Sequence, residues 1–108
     1  MPLQSGTWSI NANGFQGTLI LGNPDLNGNV QGFCLDVVFQ NGFWNEAEQK
    51  LTFIRQVGSR NDSIQIFTGF QFATNSTPNY YLAGWFEFFA GTGGNAPNSI
   101  AGWRAAKR

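Results

Sequence analysis

The stretches KLTFIRQ (50–56), SIQIFTGFQFA (63–73) and YYLAGWFEFF (80–89) decide the fold. A strand sends alternate side chains to opposite sides, so a sheet with one wet face alternates apolar and polar residues strictly. These three stretches do not. In the middle one Ile64, Ile66, Phe70 and Phe72 share a side with Thr68, while Phe67 lies opposite among Ser63, Gln65 and Gln71. In the last, Tyr81, Trp85 and Phe89 oppose Tyr80, Leu82, Phe86 and Phe88. Such strands have two surfaces to cover. A barrel does this by facing its own interior and another copy of itself.

Clusters of Gly, Asn and Asp cut the whole chain into eight strand-like segments: Gly6–Asn11, Phe15–Leu21, Asn29–Asp36, Val37–Trp44, Lys50–Gln56, Ser63–Ala73, Tyr80–Phe89 and Ser99–Lys107. Asn13-Gly14 supplies the positive φ of a tight hairpin, and Pro24 and Pro78 fall in the breaks, where a missing N–H does no harm. The connections are short, which predicts an antiparallel up-and-down meander closing into an eight-stranded all-β barrel. Residues 1–108 form one domain. Eleven Phe, four Trp and fourteen Gly, with 11% charged residues, fit that reading and disfavour helices.

Six acids balance six bases, so there is no electrostatic case for nucleic acid or an anionic membrane. No stretch is apolar for long enough to cross a bilayer as a helix, and Met1-Pro2-Leu3-Gln4 lacks the basic start of a secretion signal. A cytoplasmic protein is expected. The lone Cys34 permits no intrachain disulfide. With no histidine there is neither an obvious general base nor a metal-ligand set, and no cofactor is implied.

Several short motifs resemble avidin and its relatives in order and spacing. Gly6-Thr7-Trp8-Ser9 looks like the first avidin strand, and Gly28-Asn29-Val30-Gln31-Gly32 looks like the third. Leu51-Thr52-Phe53 sits where that family stacks an aromatic on its ligand, and Phe67-Thr68-Gly69 followed by Gln71 is similar to its sixth strand. Trp85 takes the place of a seventh-strand Trp. Ala101-Gly102-Trp103-Arg104-Ala105 resembles the last strand, whose Trp is lent to a neighbouring subunit. The resemblance implies an avidin-like barrel in which Trp8, Phe53, Ser63, Gln65, Phe67 and Trp85 face inward, with Arg55 and Glu87 two residues beyond an inward aromatic. Asn11 and Trp103 complete the candidate ligand set.

Departures from the family argue against tight biotin binding. Ile10 stands where the family has an Asn, and Asn11 is one residue out of phase, on the opposite face. Cys34 and Asp36 replace hydroxyl donors, Gln65 replaces a small hydroxyl residue, and the chain ends at Arg108 before a late Asp. Each lost partner would leave a polar group unpaired, at about 1–3 kcal/mol.

The expected function is therefore non-catalytic binding of a small apolar or aromatic ligand by a homo-oligomeric barrel. Arg55 and Glu87 either pair in the barrel mouth or lie in water at strand ends. Alternatives are a structural assembly module with a filled core, a carbohydrate binder using exposed Trp44, Tyr80 or Tyr81, and a cyclase with Glu87 or Asp36 as its acid. The expected self-association surface joins Ile64, Ile66, Phe70 and Phe72 with Leu82, Phe86 and Phe88, whose exposure would forfeit about 1.5–3 kcal/mol each.

Overall fold

A computed structural model describes residues 1–57, 63–75, 78–90 and 99–108; the side chains of Ser63 and Ala90 lie outside that description. The described residues contain no helix. They form one antiparallel sheet of ten strands: β1 (Gly6–Ala12), β2 (Phe15–Leu21), β3 (Asn29–Val30), β4 (Gly32–Cys34), β5 (Val37–Val38), β6 (Gln40–Asn45), β7 (Lys50–Val57), β8 (Ser63–Ala73), β9 (Tyr80–Ala90) and β10 (Ser99–Lys107). Two of the eight expected segments are each divided, 29–36 at Gln31 and 37–44 at Phe39.

The strand order is β3-β6-β7-β8-β9-β10-β1-β2-β4-β5. Its first member, β3, pairs with β6, whereas β4 pairs with β2 at the far end of the order. Only Gln31 separates β3 from β4 in the chain, and its carbonyl accepts the Gly22 N–H at 2.8 Å. The sheet is thus curled until both of its ends draw on residues 29–38.

Local chemistry explains the turns. Asn13 and Gly14, at φ 51° and 92°, close β1 onto β2 so that Ala12 faces Phe15, and the Asn11 side-chain oxygen accepts the Gly14 N–H at 2.9 Å. Leu35 and Asp36, at φ 50° and 71°, make a second two-residue turn, with Cys34 facing Val37. Neither is a glycine, and left-handed backbone costs an L-residue about 1–2 kcal/mol. The Arg55 guanidinium holds that turn from inside, donating from Nε to the Cys34 carbonyl at 2.9 Å and from Nη2 to the Leu35 carbonyl at 2.7 Å.

The core is aromatic. Phe39, Phe53, Phe67 and Phe86 stack in series, with centroids 4.4, 4.8 and 4.7 Å apart and interplanar angles of 25°, 10° and 11°. Trp103 sets its edge against Phe53 and Phe67 at 6.2 and 5.7 Å. Leu19, Leu21, Leu51 and Leu82 fill the space around them. Phe39 enters because the β6–β7 register shifts between Gln40 and Phe43, with Asn41 in left-handed backbone at φ 53°. This bulge restores an inward direction to Phe39. Its ring lies against Gly32 and Gly42, where a Cβ would come within 2.7 Å of ring carbon.

The register corrects the expected self-association surface. Phe67 pairs with Phe86 and Gln71 with Leu82, so even-numbered β9 residues share the inner face with odd-numbered β8 residues. Leu82 is fully buried, Phe86 is buried and Phe88 is half-buried on that inner face. Phe70 and Phe72 do lie outside, 39% and 49% exposed, with Ile64 and Ile66 on the same side. Their outer neighbours on β9 are Tyr81, Trp85 and Phe89 rather than the three expected.

Candidate functional site

The two ends of the curled sheet differ. At one end residues 1–5 lie across the opening: Leu3 is buried, the Gln71 side chain accepts the Gln4 N–H at 2.9 Å and donates to the Pro2 carbonyl at 2.9 Å, and Trp8 donates from Nε1 to the Gln4 carbonyl at 3.0 Å. Gln71 is the one buried polar side chain among the described residues, and these two bonds satisfy both ends of its amide. That end is sealed.

The opposite end opens into a cavity of about 660 Å³. Its walls come from Ala12, Phe15, Leu35, Val57, Phe86, Phe88 and Ala101, with Arg55 and Gln65 facing it from neighbouring positions on β7 and β8. Arg55 Nη1 donates to the Gln65 side-chain oxygen at 3.0 Å. With the two carbonyl bonds already described, three of the five guanidinium N–H groups have partners among the described residues, which leaves one on each terminal nitrogen without a partner there. Among the described residues no carboxylate forms an ion pair with Arg55. Asp36 lines the cavity rim. The arrangement joins a fixed positive charge to a mostly apolar wall.

Beneath the cavity Cys34 is fully buried, and burial pushes its thiol from an ordinary 9.0 up to about 12, against a smaller lowering by the nearby Arg55 charge. Such a thiol is no nucleophile at neutral pH. Among the described residues no three His, Cys, Asp or Glu side chains are grouped to hold a metal ion.

The residues expected at the site are distributed unevenly. Arg55 and Gln65 meet in the mouth. Phe53, Phe67 and Trp103 are buried in the ring cluster below it, and Trp8 is buried at the sealed end. Ser63 opens β8, but its side chain lies outside the described residues. Two placements need correction. Trp85 pairs with Thr68 and is 39% exposed on the outer face, and Glu87 pairs with Ile66 on that same face. Arg55 points inward beside Gln65, so the expected Arg55–Glu87 pair is separated by the sheet itself. Asn11 pairs with Gln16 and Arg104 on the outside, the face its phase implied, where its side chain caps the β1–β2 turn away from the rest of the candidate ligand set.

The aromatic residues considered for sugar stacking are also displaced from that role. Trp44 is buried and donates from Nε1 to Glu46 at 3.1 Å, Tyr80 packs against the core, and Tyr81 stacks on Phe72 at 5.4 Å. The expectation missed Phe86, Phe88 and Leu35 as cavity walls. The signal that finds the first two is the even number of residues, six, between paired Ala73 and Tyr80, which sets odd against even across the hairpin.

No family model matches this chain, and no curated protein or solved structure matches it significantly.

Proposed function

We propose that this chain is a non-catalytic small-molecule-binding barrel whose ligand enters the mouth above the phenylalanine stack. The observation that carries this reading is the cavity of about 660 Å³, walled by Phe86, Phe88, Leu35 and Ala101 around the Arg55–Gln65 pair. Its size falls within the range of ligand pockets, and a few polar groups converging in an apolar wall are the usual composition of one. The interior below is closed to a ligand by the ring stack. That separates this site from the deep pocket an avidin-like barrel would use.

The barrel reading treats β3 with β4, and β5 with β6, as two kinked strands. The eight segments then pair in sequence, β10 returns to β1, and no long edge is left over. Support for the avidin-like arrangement comes from buried Trp8 on the first strand, whereas Trp103 on the last packs into its own copy's core rather than a neighbour's pocket. Self-association through the outer face of β8 and β9 completes the proposal. Phe70 and Trp85 meet there at 6.2 Å, Phe72 stacks on Tyr81, and all three of Phe70, Phe72 and Trp85 stay exposed in one copy.

Titration of 2-naphthol into isotope-labelled protein tests the binding site. Amide shifts are expected at Leu35, Val57, Phe86, Phe88 and Ala101, with none at Trp8 or Gln71. An unchanged spectrum at millimolar 2-naphthol, or shifts confined to the sealed end, would rule out the mouth as the site. Sedimentation velocity tests the assembly: Phe70→Lys and Trp85→Lys are expected to yield monomers, and a monomeric wild type would refute it.

A further inference from the structure

Resting on that reading of the mouth, we infer that the site selects amphiphiles carrying a single carboxylate, gripped by Arg55 with the apolar body against Phe86 and Phe88. The inference comes from what the guanidinium still lacks. Among the described residues its three bonds go to neutral acceptors, the carbonyls of Cys34 and Leu35 and the side-chain oxygen of Gln65, so these partners bond the positive charge without neutralising it. Among the described residues no acid forms an ion pair with it. A charge held in a half-buried, mostly apolar cavity interacts more strongly than one in water, and its desolvation is already part of the folded state.

The two remaining N–H groups, one on each terminal nitrogen, match the two oxygens of a carboxylate in number. The three existing bonds fix the guanidinium before any ligand arrives, so little side-chain entropy is lost on binding. The walls then favour an acid with a flat or aliphatic body over a small polar anion. Asp36 is the opposing influence. It is the carboxylate on the cavity rim among the described residues, and it repels an incoming anion.

A matched pair tests the inference on the intact protein: 2-naphthoate against 2-naphthylmethanol, which keep the ring system and exchange the carboxylate for a neutral hydroxyl. Calorimetry is expected to give at least tenfold tighter binding of the acid, and Arg55→Gln is expected to bring the two within threefold of each other. Asp36→Asn is expected to strengthen the acid alone, about two- to fivefold. Because Arg55 also supports the 34–37 turn, a measurement on the wild type stands beside the variants: the Arg55 Nε–H resonance is expected to shift with the acid and not with the alcohol. Equal affinities for the pair, or an Arg55 resonance indifferent to the acid, would overturn the carboxylate preference while leaving binding at the mouth intact. Failure of both compounds to bind would overturn the preference together with the reading beneath it.

Discussion

Replacing Phe67 with Ala probes the organisation of the interior most directly. Phe67 is fully buried and stands third in the four-ring series, with Phe53 at 4.8 Å on one face, Phe86 at 4.7 Å on the other and Trp103 edge-on at 5.7 Å. A buried Phe→Ala change costs about 3–5 kcal/mol through lost transfer energy and the cavity left behind. Each aromatic contact adds about 0.5–1.5 kcal/mol beyond area. The backbone of β8 is held by β7 and β9 on both sides, so the void has little room to collapse. The upper half of that range, about 4–5 kcal/mol, is therefore expected, a large fraction of the whole stability of a small domain. Urea denaturation followed by far-ultraviolet circular dichroism measures it, with Phe15→Ala, 72% exposed, as the reference for losing a ring that is not stacked. The reference change is expected to cost less than about 1 kcal/mol. A Phe67→Ala loss as small as that of Phe15→Ala would refute the filled ring core.

Three further outcomes are expected. Gly69→Ala would drive its new Cβ into Trp103 Cζ2, so repacking is expected to cost about 1–3 kcal/mol and to shift the tryptophan emission; an unchanged spectrum and midpoint would contradict the close seat of the indole on β8. The Cys34 thiol is protonated in both folded and unfolded chains below pH 9.0, and between pH 9.0 and about 12 the unfolded chain ionises first. Relative to Cys34→Ala, stability is therefore expected to fall as pH rises through that window, by about 1.4 kcal/mol per unit; a flat difference would argue against its burial. Arg55→Met removes two charged bonds to the carbonyls of Cys34 and Leu35 and is expected to cost about 2–4 kcal/mol by chemical denaturation. A neutral result would mean that the left-handed Leu35-Asp36 turn stands without help.

The strand positions were legible because turn chemistry is local. Asn13-Gly14 and the breaks holding Pro24 and Pro78 announce themselves in a few residues, and the described strand ends fall close to them. The facing of β9 was not legible by eye, since both its sides are apolar and hydrophobicity alone ranks Trp85 and Phe86 equally. Only the pairing of Ala73 with Tyr80 separates them, and it buries Phe86 while exposing Trp85. Phe39 was hidden for a different reason. Its inward direction depends on a bulge at Asn41, and an asparagine in left-handed backbone reads in sequence like any loop residue. Of the candidate site, Arg55 and Gln65 share the inner face because each lies two residues from a buried ring, Phe53 and Phe67, a relation that strand alternation makes visible. Phe88 and Leu35 look like ordinary core residues until the cavity is seen.

The indole of Trp103 donates its single N–H to two backbone carbonyls at once, those of Thr68 at 3.0 Å and Trp85 at 3.1 Å, on adjacent strands. That proton meets solvent only when β8, β9 and β10 part company, whereas loops and strand ends can fray without releasing it. Its deuterium exchange rate therefore measures the opening of these three strands from one resolved resonance. A ligand seated in the mouth would slow that exchange, so one side-chain proton turns binding into a clock for the sheet's own breathing.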